Sequence, residues 1–279
     1  MIVPVEGAEL FCSTRGTGVP CLVPCILGTR LYERLTPAPL TDHFQFIYVD
    51  LRGGGQSSGD PADLTFDLLA SDLDAVRAAV GAARTAVLGY SIVGILALEY
   101  ARRFPETVSH AIMAGTPPTG DMSELMTAST AFFAADASDE RKAILQENFA
   151  KLPPGTPPEQ AVFAQTPMRF FDPRFDAASL FAESQFNPRL FGHVLGPLTA
   201  SWNVLTDVES LRVPTLIAHG RRDYVVPYTM WDDIVGRMPN ATRHVFERSG
   251  HQTFFEEPER FAEVTLEWMA RSNRGVAQG

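Results

Sequence analysis

Apolar residues along this chain fall into short runs that alternate or stay continuous, set apart by longer stretches in which they return every three or four positions. Residues 2–5 and 9–14 read as an opening hairpin, 21–25 as a third strand, and 44–50, rich in aromatic and β-branched side chains, as a fourth. Over residues 65–80 the period changes. Phe66, Leu69, Leu73, Val76 and Val80 mark one face of a helix, with Thr65 near its cap. The apolar run 86–88 then leads through a glycine-containing turn into the helix-like run 95–100.

Later, residues 214–218 form a continuous apolar stretch of the kind that a buried parallel strand requires, and residues 244–246 form another β-rich run. Residues 254–269 are amphipathic at helical spacing and predict the last helix. Strands and helices alternating at such short intervals imply an α/β fold, with a doubly wound, mostly parallel sheet and right-handed crossovers. In such a sheet ligands bind at the carboxyl ends of the strands.

From about Pro117 to about Leu205 the pattern differs. Helical segments are broken by residues 153–158 (Pro-Pro-Gly-Thr-Pro-Pro), by Asp172-Pro173 and by Asn187-Pro188, without β alternation. The expected organisation is a core of residues 1–116 and 206–279 interrupted by a helical cap over residues 117–205. That cap carries ten of the nineteen phenylalanines. Most are expected to pack the cap itself, and the rest make a largely apolar substrate the natural inference.

The turn after residues 86–88 reads Gly89-Tyr90-Ser91-Ile92-Val93-Gly94. A serine between a strand and a helix, flanked by small residues, sits on a sharp turn that lifts its hydroxyl into a cleft. A G-x-S-x-G spacing would put the second glycine at Val93, but here it comes one residue later. Downstream, the strand at 214–218 delivers His219-Gly220-Arg221-Arg222-Asp223, and the run at 244–246 leads to Gly250-His251 before the last helix. Nucleophile, acid and base thus follow in the order Ser91, Asp223, His251, with Asp121 as the rival acid.

These residues, together with Asp50-Leu51-Arg52-Gly53-Gly54-Gly55-Gln56-Ser57, which matches a D-x-R-G-x-G-x-S turn, give the chain a resemblance to the α/β-hydrolase fold superfamily over nearly its whole length. The resemblance implies that His251 takes the proton of Ser91 as general base, that Asp223 orients His251, and that an acyl-enzyme forms without metal or organic cofactor. It also implies an oxyanion hole of backbone N–H groups, one from Ile92. The second donor lies in Pro24-Cys25-Ile26-Leu27-Gly28-Thr29, with Leu27 the first choice and Ile26 the next. In elbow and cap placement the chain is similar to proline iminopeptidases and esterases. The His-Gly-Gly-Pro-Gly loop of the former is absent, which argues against peptidase activity.

The expected reaction is hydrolysis of a small to medium carboxylic ester or lactone. The fold also hosts lyases, cyclases, cofactor-free oxygenases and ligand-binding receptors, and these remain the alternatives. A formal charge of −10 argues against a nucleic-acid partner. No apolar run is long enough for a membrane span and no basic-then-apolar leader opens the chain, so a cytoplasmic monomer or homodimer is expected. Cys12, Cys21 and Cys25 show no zinc spacing and are expected as reduced structural thiols. His110 and His219 lie in apolar strand contexts, and with His43, His193 and His244 they are expected to be structural or at the surface. A solvated role is expected for Arg30.

Overall fold

Parallel strands covered on both faces need apolar residues at every position, and the central strands of this chain meet that demand. The computed structural model describes residues 1–157 and 161–276. In it, β1 (Ile2–Val5), β2 (Ala8–Arg15), β3 (Val19–Cys25), β4 (Phe44–Asp50), β5 (Thr85–Tyr90), β6 (Val108–Ala114), β7 (Thr215–Gly220) and β8 (Ala241–Phe246) form one eight-stranded sheet. Its order is β1-β2-β4-β3-β5-β6-β7-β8. Only β1 with β2 and β2 with β4 pair antiparallel, and the remaining pairs are parallel. Every residue of β5 and β7 is buried, whereas β2, next to the edge strand β1, is only partly so.

Two apolar layers flank the sheet. On one face Leu22, Val87, Met113 and Ile217 meet α2 (Phe66–Ala79) and α3 (Val93–Arg103). On the other, Cys21, Leu88, Ile112 and Leu216 meet α1 (Thr29–Leu35) and the terminal helix that runs over Pro258–Val276. Thr65 caps α2 as expected, its hydroxyl accepting from the Leu68 N–H at 3.1 Å. Asp72 on the same helix is buried against Arg52 in a two-pronged ion pair of 3.1 and 2.8 Å.

Between β6 and β7 the chain leaves the sheet for α4 (Met122–Asp136), α5 (Asp139–Ala150), α6 (Pro188–His193) and several single turns. Asp121 caps α4, its Oδ1 accepting from the Ser123 and Glu124 N–H groups. Asn187-Pro188 starts a helix rather than ending one, because proline suits the first helical position and the Asn187 carboxamide caps it. The Pro158 end of the proline-rich break lies outside the described residues. The two ends of the insertion are tied together by a bridge between Thr119 and Asn203, with Gly120 N–H donating to Trp202 C=O at 2.8 Å and Val204 N–H to Pro118 C=O at 2.9 Å.

The phenylalanines of this insertion do not simply fill its own interior. Phe132 and Phe133 pack on Tyr224, Phe132 also meets Tyr228, and Phe175 stacks on Phe170 while meeting Phe255. The aromatic side chains glue the insertion to the loops that follow β7 and β8, because those loops carry aromatic residues facing it.

Candidate active site

Ser91 stands in the left-handed region at φ 56°, a conformation that costs an L-residue on the order of 1–3 kcal/mol unless its surroundings enforce it. Its N–H donates to Ala114 C=O at 2.8 Å, and its own C=O accepts from Gly94 N–H at 2.9 Å. The glycines around it work through absence of a side chain. A Cβ on Gly89 would lie 2.4 Å from the Gly94 Cα, and one on Gly94 would lie 1.8 Å from the Thr116 Oγ1. The displaced second glycine is therefore the one that lets α3 start against the end of β6.

β7 carries the chain to Asp223 and the loop after β8 carries it to His251, and both side chains are fully buried. Asp223 Oδ1 accepts from the Val225 and Val226 N–H groups at 3.0 and 2.8 Å, which fixes the carboxylate; its Oδ2 lies 2.7 Å from His251 Nδ1. An ionised carboxylate can only accept, so Nδ1 carries the proton and Nε2 is left as an acceptor. The Ser91 hydroxyl donates to that Nε2 across 3.0 Å. Ser91, His251 and Asp223 are thus brought together in one hydrogen-bonded line. Asp121 has the helix-capping place described above.

The turn after β3 is held from two sides. Asp50 Oδ1 accepts from Thr29 N–H at 2.7 Å and its Oδ2 from Gln56 N–H at 2.8 Å, so the D-x-R-G-x-G-x-S segment acts as a tie for the Leu27-Gly28 turn. Gln185, from the insertion, donates its N–H to Leu27 C=O at 2.8 Å. Ile26 N–H is directed to the Tyr32 hydroxyl at 3.4 Å, and among the described residues no acceptor takes the N–H of Leu27 or of Ile92.

Other candidates resolve into structural roles. Cys12, Cys21 and Cys25 are free and buried; the Cys25 thiol donates to Val23 C=O, and burial pushes its pKa well above the usual thiol range. His110 and His219 are buried, and burial pulls each imidazole down to about 4, so both are neutral. Arg30 is exposed. Among the described residues no group of three or more His, Cys, Asp or Glu side chains could hold a metal ion, and no helix is long and apolar enough to cross a membrane.

Several neighbours of His251 carry no signal in the sequence. The insertion delivers Arg169, whose C=O accepts the His251 N–H at 2.6 Å. Glu256 accepts from Phe171 N–H at 2.6 Å and Gly250 N–H at 2.8 Å; burial pushes its carboxyl up to about 8, and those two donors pull the other way. Tyr90, beneath the imidazole at 5.0 Å between ring centres, accepts from Gln252 Nε2 at 2.8 Å. Only Tyr90 lay within a readable motif, and nothing in that motif announced its partner.

A model of the alpha/beta hydrolase fold matches residues 21–258, and the chain belongs to that family of hydrolases. Among curated relatives it is 30% identical over 275 residues to the AB hydrolase superfamily protein YclE of Bacillus subtilis, covering 95% of this chain and 96% of that one. It is 29% identical over 290 residues to a 2-hydroxy-6-oxononadienedioate/2-hydroxy-6-oxononatrienedioate hydrolase of Burkholderia vietnamiensis, covering 95% and 93%. Among solved structures, proline iminopeptidase of Mycobacterium smegmatis superposes with a TM-score of 0.78 at 24% identity, covering 99% of both chains.

Proposed function

We propose that the protein is a serine hydrolase that cleaves a small to medium, largely apolar carboxylic ester or lactone. The observation that carries this reading is the unbroken line from the Ser91 hydroxyl through His251 to Asp223, with Ser91 held at a positive φ. His251 Nε2 takes the hydroxyl proton as Oγ attacks the carbonyl carbon, and the resulting imidazolium is stabilised by Asp223. His251 then passes that proton to the departing alkoxide, leaving an ester on Ser91. Water, deprotonated by the same Nε2, cleaves that ester and restores the serine.

The N–H groups of Ile92 and Leu27 are the proposed donors to the oxyanion, and their lack of an internal acceptor supports the assignment. The insertion over residues 117–205 serves as a cap, supported by its contacts with the turn after β3 and with the His251 loop. The proposal of an apolar substrate rests on the phenylalanine-rich composition of this insertion, ten of the nineteen in the chain.

A fluorophosphonate reports the activated serine without a guess at the substrate. The native protein should gain one adduct by intact mass, on Ser91, while Ser91→Ala and His251→Ala gain none. Absence of an adduct in folded native protein would sink the hydrolase reading and favour non-hydrolytic or binding roles.

A further inference from the structure

Two parts of the chain must stay in register for the proposed chemistry, and few hydrogen bonds join them. Ser91 stands on the turn after β5, and His251 lies in the loop that follows β8. Among the described residues, two hydrogen bonds connect residues 89–94 with residues 247–252. One is donated by the Ser91 hydroxyl to His251 Nε2; the other is donated by Gln252 Nε2 to the Tyr90 hydroxyl, at 2.8 Å. Tyr90 immediately precedes the nucleophile and Gln252 immediately follows the base, so the second bond ties the neighbours of the pair that the first bond joins.

Both partners are themselves anchored. Tyr90 is the last residue of β5 and pairs with Ala114 of β6. The Gln252 carbonyl accepts from the Phe255 and Glu256 N–H groups, each at 2.9 Å, which ties it to the helical turn that follows. Gln252 is fully buried and among the described residues its Oε1 has no partner, so the Tyr90 hydroxyl is what fixes its carboxamide. A buried amide left half satisfied costs stability that an apolar side chain of the same shape would not. The imidazole between these anchors has little room: the Tyr90 ring lies 5.0 Å from it, and a Cβ on Gly115 would come within 2.9 Å of His251 Nδ1.

On the serine hydrolase reading above, on which this inference rests, the two bonds have different lifetimes. Once Ser91 carries the acyl group, its Oγ has no hydrogen to donate, and the bond between Gln252 and Tyr90 alone remains. Deacylation still needs Nε2 in place. Water gives its proton to Nε2 as its oxygen adds to the acyl carbonyl, and the bond from that carbon to Oγ breaks as Nε2 returns the proton to Ser91. We propose that Tyr90 and Gln252 are positioning residues that hold His251 in place over the acyl-enzyme, so that their bond serves the second half of the reaction more than the first.

The test uses a fluorophosphonate for the first half-reaction and p-nitrophenyl butyrate for both. Tyr90→Phe keeps the ring and removes the acceptor; Gln252→Leu removes the donor. In each, labelling should stay within about three-fold of native, while the butyryl-enzyme decays roughly 10- to 100-fold more slowly, the range for a displaced catalytic group. A burst of about one nitrophenolate per chain should precede the slow steady state, with a butyryl adduct on Ser91 by intact mass. kcat and KM should fall together, leaving kcat/KM near native. Each single variant leaves a buried polar group unpaired and should lower the Tm by a few degrees, whereas the double variant should regain most of the Tm while deacylation stays slow. Recovery of deacylation along with the Tm would overturn the proposal, because the pair would then serve only to satisfy buried polar groups. So would equal slowing of labelling and deacylation, or native deacylation in both single variants. These three outcomes leave the hydrolase reading standing, whereas native protein that takes no fluorophosphonate would overturn that reading and this inference with it.

Discussion

Gly94 and Thr116 approach so closely that a single methyl group on the glycine would lie 1.8 Å from the threonine Oγ1. The start of α3 and the chain just after β6 are pressed together at that point, close in sequence to Ser91 with its positive φ. Gly94→Ala is expected to cost about 1–3 kcal/mol in denaturant unfolding, as overpacking does, and to slow fluorophosphonate labelling. Adding Thr116→Gly should recover more than half of the stability loss. Two additive losses would show that the sites are not coupled.

Asp223 and Asp121 separate by role. Asp223→Asn should keep the fold and lower kcat by about 10⁴-fold, since Nδ1 loses the partner that sets its tautomer. Asp121→Ala removes a helix cap and should cost about 1 kcal/mol of stability with kcat unaltered. Steady-state rates and urea midpoints on both variants decide it; a large rate loss in Asp121→Ala would reverse the assignment.

Sequence legibility followed the length of apolar runs. Ser91 and Asp223 were readable because each ends a continuous buried strand, and His251 because an amphipathic helix follows it. The place of Arg169 was not readable, since the His251 N–H that its C=O accepts comes from a distant part of the chain and a lone arginine in a broken helical stretch looks like any solvated one. The glycine offset at Gly94 looked like a flaw until Thr116 supplied the reason. Asp50 was recognisable as part of a motif, but its grip on the Thr29 N–H exists only once β3 and β4 lie side by side.

Stability should fall with acid through two buried imidazoles. His110 and His219 are held at about 4, below the roughly 6.5 of an unfolded chain, so as pH falls the unfolded state takes up protons first. Their contribution is full above about pH 6.5 and is lost progressively down to about 4, with a slope reaching about 1.4 kcal/mol per pH unit for each group. Urea midpoints measured from pH 7 to 4.5 should show the decline, and His219→Gln should make it shallower. An identical slope in that variant would remove His219 from the explanation.

Arg52 and Asp72 form an ion pair that is almost wholly buried. Arg52→Met leaves a carboxylate stranded and should cost about 3–5 kcal/mol, whereas Arg52→Met combined with Asp72→Leu should come close to native stability. Thermal unfolding of the single and double variants provides the comparison. A double variant as unstable as the single would mean that the pair is worth more than its desolvation.

Asp50→Ala frees the N–H groups of Thr29 and Gln56 together. The expected loss is about 1–3 kcal/mol in stability, from unsatisfied donors. Because the Leu27-Gly28 turn loosens with Thr29, labelling of Ser91 should slow by roughly ten-fold or more. Stopped-flow labelling at saturating probe would register it, and an unaltered rate would detach this turn from the chemistry.

Thr119 and Asn203 stand side by side at the root of the insertion, with Gly120 and Val204 hydrogen-bonded across the same seam. To the sheet, everything between them is a loop whose two ends already touch. Closing such a loop costs free energy that grows only with the logarithm of its length, so the sheet is nearly indifferent to how much chain the seam encloses. The insertion is therefore an exchangeable cassette. Evolution, or an engineer cutting at this seam, can trade one insertion for another while the hydrogen-bonded line of Ser91, His251 and Asp223 is inherited whole.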